Sequence, residues 1–130
     1  MKRKKGEEDY LRVIYLLDDG KGVRSIDIAK ELKISKPSVS EMIKKITRKN
    51  LVKKRDKQVF LTKKGKATAE NLFENHSVIR RFLQKFLNHS EQKASEEAHL
   101  LEHVFSEDSI RKLTEIVEGK TSFSVPSYIR

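Results

Sequence analysis

The string His99-Leu100-Leu101-Glu102-His103 concentrates more chemistry than any other part of the chain. On an α-helix, positions three and four apart share a face. His99, Glu102 and His103 would therefore converge, away from an apolar side made by Ala94, Ala98, Leu101 and Phe105. Two imidazoles and a carboxylate form a nitrogen and oxygen ligand set suited to a first-row divalent ion. The chain has four histidines and two of them fall here, which favours ligands over chance histidines on a solvated face. The same letters also match H-x-x-E-H, the inverted zinc-protease pattern, in which Glu102 would act as general base. That zinc-hydrolase alternative needs a further ligand downstream, from Glu107, Glu115 or Glu118, and a substrate cleft that the short helical second half can hardly build.

A second set of residues suits a polyanion. Residues 1–66 hold 21 Lys and Arg against 9 Asp and Glu, a balance of +12, while residues 67–130 hold 8 against 10, a balance of −2. All of the excess positive charge thus lies in the first half, the footprint of a nucleic-acid module joined to something else. Mere solubility would not require the halves to differ. Within the basic half, a short helix beginning near Ser25 is followed by the break Lys33-Ile34-Ser35, a helix opened by Ser35-Lys36-Pro37, and a basic hairpin over Leu51–Leu61. That order is a winged helix-turn-helix, whose second helix enters the major groove with its first residues toward the base edges. Ser35, Pro37, Ser38, Ser40 and Glu41 are the candidate base-edge residues. Lys36, Lys44, Lys45, Arg48 and Lys49, with Lys53, Lys54, Arg55 and Lys57 of the wing, would meet phosphates, which fix position without reading sequence.

Apolar periodicity supplies the elements that hold these groups. Glu8–Leu17 reads as a helix with a broad buried face, ended by Asp18-Asp19-Gly20-Lys21-Gly22. Ser25 is the expected cap of the next helix, with Ile26, Ile28, Ala29 and Leu32 inward, and Val39, Met42, Ile43 and Ile46 form the stripe of the one after. The wing turn is expected at Arg55-Asp56-Lys57. Thr62 would cap a long helix with Leu72, Phe73, His76, Ile79, Leu83, Phe86 and Leu87 on one side. After Asn88-His89-Ser90, a helix is expected from Glu91 to Phe105, and Ser106 caps a last one with Ile110, Leu113, Ile116 and Val117 inward. The fold class is mainly α with a small β-hairpin wing. The expected divisions are a DNA-binding domain over 1–66, a helical metal-binding and dimerisation domain over 67–119, and a tail over 120–130. The chain has no cysteine, which removes disulfides and thiolate sites. With neither a signal-like nor a membrane-spanning segment, a cytoplasmic protein is expected, with no membrane partner and no small organic substrate.

Glu8-Asp9-Tyr10-Leu11-Arg12-Val13-Ile14-Tyr15-Leu16-Leu17, Ile28-Ala29 through Pro37-Ser38-Val39-Ser40, Leu61-Thr62-Lys63-Lys64-Gly65, His76, and Glu102-His103-Val104-Phe105-Ser106 occur in that order. The set resembles the diphtheria-toxin-repressor and manganese-transport-regulator family of metal-dependent repressors, over residues 7–118. The resemblance implies a homodimer on double-stranded operator DNA. It also implies a principal site for Mn²⁺ or Fe²⁺, with Zn²⁺ a further candidate, built from Asp9, His99, Glu102 and His103 and bridging the first helix to the dimerisation domain. Asp9 is similar to the manganese-type members; His99 departs from the glutamate or cysteine usual at that place. His76 matches a ligand of the family's second site, whose other positions here are Arg12, Arg80 and Ser95. Glu41 stands where iron-type members carry glutamine. The C-terminal SH3-like domain of larger members is not expected in this chain. A winged-helix regulator independent of metal is the alternative that a silent histidine cluster would leave.

Overall fold

The structure, a computed structural model, describes residues 6–120. They fall into two compact units, one reaching Leu72 and the other beginning at Phe73. The elements are α1 (Glu7–Leu17), β1 (Val23–Arg24), α2 (Ser25–Leu32), α3 (Lys36–Arg48), β2 (Val52–Arg55), β3 (Gln58–Leu61), α4 (Lys63–Leu87), α5 (Glu91–Leu101) and α6 (Glu107–Val117). This is the expected fold class of a helical chain with a small antiparallel wing.

The first unit packs α1, α2, α3 and the sheet around one core. Leu11, Ile14, Ile28, Val39, Ile46, Val52 and Val59 are its most enclosed side chains. α1 opens at Gly6, whose amide donates to the Asp9 carboxylate at 3.0 Å, so an acid in the first turn meets the positive end of the helix. α2 ends at Lys33, which adopts the left-handed conformation at φ 57°. Ser35 then caps α3, its Oγ accepting from the Ser38 amide at 3.3 Å. Asn50, also left-handed at φ 60°, leads into β2.

The sheet has the order β1-β3-β2, both pairings antiparallel. β1 is not foreseen by the sequence pattern: two residues are too few to show alternation. β2 runs through Arg55, which pairs with Gln58, so the turn is Asp56-Lys57 rather than three residues, with Asp56 at φ 55°. Such a two-residue turn needs positive φ, which aspartate tolerates better than most residues. Two local expectations for α2 are corrected. Ser25 is the first helical residue and Arg24 the cap position, with no side-chain cap. Ile26 is 40% exposed; two residues before Ile28, it points about 200° away from the buried face.

Thr62 caps α4 as expected, its Oγ1 accepting from the Gly65 amide at 3.0 Å and donating to the Asn50 carbonyl at 2.6 Å. The second unit is built from the later part of α4 with α5 and α6, around Val78, Ile79, Leu83, Ala94, Ala98 and Leu113. Phe86 and Leu87, expected on the inward stripe, are exposed in the last turn of α4, just before Asn88 turns the chain at φ 55°. α5 stops at Leu101 rather than Phe105. The amides of His103 and Val104 bond three residues back, to Leu100 and Leu101, the tighter pattern of a frayed helix end. Ser106 then caps α6, accepting from the Ser109 amide at 3.0 Å. Of the expected tail over 120–130, residues 121–130 lie outside the described residues.

Candidate nucleic-acid interface and metal centre

The sequence of α3 has two faces. Val39, Ile43 and Ile46 are buried, whereas Lys36, Pro37, Ser40, Glu41, Lys44 and Arg48 are exposed. The buried face fixes the helix on the core and leaves the other to a partner. Ser35 and Ser38 are exposed too, and the Ser35 hydroxyl donates to that of Ser38 at 2.9 Å, a contact that helps shape the start of the helix. Lys45 is placed differently from Lys44. Its Nζ lies 3.3 Å from Glu7 Oε1, and Lys49 Nζ lies 2.6 Å from the same oxygen. These two cations tie α3 to the start of α1. The hydrogen bond from Lys49 holds the Glu7 carboxyl below its ordinary range against the opposing effect of burial, with Lys45 helping. Arg55, Asp56 and Lys57 stand exposed at the wing tip. Two hollows border this face. One of about 550 Å³ is lined by Arg24, Ser25, Ile26, Lys36, Lys54 and Lys57. Another of about 400 Å³ runs along α3 past Ser40, Ile43, Lys44 and Arg48. Arg24 was not singled out from the sequence, because only the pairing of β1 with β3 brings it to the wing.

In the second unit, Glu102 is the organising residue. Its side chain has no solvent exposure. His76 Nδ1 lies 3.3 Å from Oε2, and His99 Nδ1 and His103 Nε2 lie 3.5 and 3.6 Å from Oε1. The His99 and His103 rings stand edge to face, centroids 5.6 Å apart. The pair therefore survives the early end of α5, and the carboxylate it approaches is enclosed. His76 comes from α4 and also approaches Ser95 Oγ at 3.5 Å, so three imidazoles from two segments surround one carboxylate. This donor set fits a divalent ion: neutral imidazoles and a carboxylate are ordinary ligands for manganese, iron or zinc. Asp9 belongs to the first unit, where it is 4% exposed in the first turn of α1.

The model of the N-terminal DNA-binding domain of iron-dependent repressors matches residues 4–59, and that of their metal-binding and dimerisation domain matches residues 62–121. An uncharacterised helix-turn-helix transcriptional regulator of Methanocaldococcus jannaschii is 35% identical over 114 residues, 85% of this chain and 91% of that protein. The manganese regulator SloR is similar in structure with a TM-score of 0.76 and 35% identity, covering 89% of this chain and 55% of SloR. ScaR with bound Zn²⁺ has a TM-score of 0.80 and 30% identity, covering 88% of this chain and 54% of ScaR. The chain thus spans about half the length of these two regulators. The families and relatives matched are transcriptional regulators, not enzymes. No described helix is long and apolar enough to cross a membrane.

Proposed function

The chain belongs to the iron-dependent repressor family of metal-dependent transcriptional regulators, and from that premise we propose that it represses genes of metal-ion homeostasis as a cytoplasmic homodimer on operator DNA. Its DNA reader is the winged helix of residues 1–66 and its metal-binding and dimerisation part is residues 67–119. The observation that carries the reading is Glu102, a wholly enclosed carboxylate among His76, His99 and His103, in a chain whose basic half presents an exposed recognition helix.

Asp9, His99, Glu102 and His103 would hold the principal ion, Mn²⁺ or Fe²⁺ with Zn²⁺ as an alternative, and His76 is a candidate for a further ligand. A bound divalent ion supplies the positive charge that lets two carboxylates and two imidazoles share one centre. Asp9 comes from the first helix of the reading head, and the other three from the segment 99–103. Ligation would therefore link the orientation of the DNA-reading part to metal occupancy. By linkage, operator DNA tightens metal binding by the same factor that metal tightens DNA binding. The imidazoles must be neutral to ligate, so metal affinity falls as the pH drops. Base reading falls to Ser35, Pro37, Ser38, Ser40 and Glu41, and phosphate contact to Lys36, Lys44, Lys45, Arg55 and Lys57. The charge on Glu41 suits a cytosine amino group and opposes a nearby phosphate.

The test measures duplex-DNA affinity by fluorescence anisotropy with Mn²⁺, Fe²⁺, Zn²⁺ or chelator, and metal affinity by calorimetry, for the wild type and His103→Ala. Metal should tighten DNA binding in the wild type and not in the variant. Binding unchanged by every metal and by the substitution would leave a winged-helix regulator independent of metal.

A further inference from the structure

Glu102 turns its two oxygens to different neighbours. Oε1 lies 3.5 Å from His99 Nδ1 and 3.6 Å from His103 Nε2, and Oε2 lies 3.3 Å from His76 Nδ1. A carboxylate with nitrogen donors at both oxygens can serve one metal ion or bridge two, as in paired centres whose ions sit about 3.5–4 Å apart. These four groups do not by themselves decide between one ion and two.

Arg80 adds the deciding charge. It stands on α4 one turn after His76, so the two share a helix face. Its Nε is shut off from solvent and has no hydrogen-bond partner among the described residues. The residues three and four places from it along α4 are His76, Ser77, Leu83 and Gln84, none of them acidic. Arg81 follows about 100° further round the helix and is exposed. A guanidinium keeps its charge at every working pH. Arg80 is therefore a permanent positive neighbour on the side of α4 that carries His76. Among the four clustered groups only Glu102 is acidic. Two divalent ions would set four positive charges against that one carboxylate, with Arg80 adding a fifth. Like charges repel more strongly still where water is excluded. His76 is also engaged at both ring nitrogens, since its Nε2 approaches Ser95 Oγ at 3.5 Å.

We propose that Arg80 restricts the cluster to one divalent ion per protomer, held at the Oε1 side of Glu102 with His99 and His103, and that its fixed charge excludes a second ion beside His76. The inference rests on the metal-binding reading of the second unit and adds its stoichiometry. His76 then carries no ion of its own.

The experiment titrates Mn²⁺ into the metal-free full-length protein, counts bound ions from the electron paramagnetic resonance signal of free Mn²⁺, and takes affinity from calorimetry. It compares the wild type with Arg80→Glu, Arg80→Gln and Arg81→Gln, and circular dichroism checks folding. The wild type should take up one ion per protomer. Arg80→Glu should take up two, because a carboxylate one turn after His76 completes a second pair of ligands. Arg80→Gln should bind the first ion about 5-fold more tightly, the effect of removing a unit charge roughly 8 Å from a divalent ion under water-like screening. Arg81→Gln loses the same charge from an outward position and should stay within about twofold of the wild type. Two ions in the wild type would overturn the proposal, as would a folded Arg80→Glu that still takes up one. So would an Arg80→Gln that binds no more tightly than Arg81→Gln, a comparison that stands even if Arg80→Glu fails to fold. Failure of the metal-binding reading itself would show differently, as a wild type that takes up no Mn²⁺, Fe²⁺ or Zn²⁺.

Discussion

Gly65→Ala sets helix propensity against packing, and the structure decides which wins. Gly65 lies in the first turn of α4, where alanine would ordinarily add about 1 kcal/mol of helix stability over glycine. A β-carbon at this position would sit 1.9 Å from the Leu51 carbonyl oxygen and 2.9 Å from its carbon. An ordinary carbon–oxygen contact is about 3.3 Å or more, so backbone must move by over 1 Å, and no rotamer change can relieve it. The Leu51 oxygen already accepts from the Thr62 amide at 3.0 Å. Leu51 is itself buried and leads directly into β2. Losing that hydrogen bond costs about 1 kcal/mol. Overpacking a site bounded by main chain costs about 1–3 kcal/mol more. Set against the propensity gain, the net loss is about 1–3 kcal/mol. Urea unfolding followed by far-UV circular dichroism should show a lower midpoint at unchanged slope. Because the displaced segment leads into the wing, duplex affinity should fall as well. A midpoint at or above that of the wild type would show that the approach of α4 to Leu51 is not close and would refute the reasoning.

Glu7→Gln tests the tie between α1 and α3. The folded carboxyl titrates below its ordinary value of 4.5, so its stabilisation is fully present above that pH and is lost as pH falls through the lowered value. Wild type and variant should therefore differ at neutral pH and converge in acid, by well under about 1 kcal/mol because both lysines are half exposed; equal stability at pH 7 would refute this. Ser106→Ala removes the cap of α6 and should cost about 1 kcal/mol, read as a lower melting temperature. Ile46→Ala empties a site with no exposure under the recognition helix. It should cost about 2–5 kcal/mol in urea unfolding and weaken DNA binding without touching an exposed residue.

Sequence pattern was most informative where a long element had one wet and one dry face. The stripe of α3 and the serine and threonine caps at Ser35, Thr62 and Ser106 were all legible, since each has a local cause that three or four residues can carry. Where tertiary pairing decides, the pattern was silent. β1 is too short for a period and exists through its register with β3, and with it Arg24 escaped notice. Ile26 was misplaced by its apolar type, although its angle from Ile28 already put it on the other side. For the metal cluster, the residue types and spacing found His99, Glu102 and His103. They did not show that α5 ends before His103, nor that Glu102 would be enclosed. His76 came from resemblance, and its approach to Glu102 depends on how α4 and α5 pack, which no local spacing contains.

The position of Glu102 makes the cluster hard to explain as packing alone. It occupies the C-cap of α5, where the helix dipole presents its negative end and disfavours another negative charge. Its side chain is also removed from water, where a polar group needs partners. A carboxylate in such a place is unfavourable unless partners surround it. Around it stand three imidazoles at 3.3–3.6 Å. Residues that oppose local stability and are nonetheless surrounded by matched partners mark sites that the fold maintains for a ligand. In the proposed function His99, Glu102 and His103 answer to one divalent cation, for which imidazole nitrogens and a carboxylate are ordinary ligands.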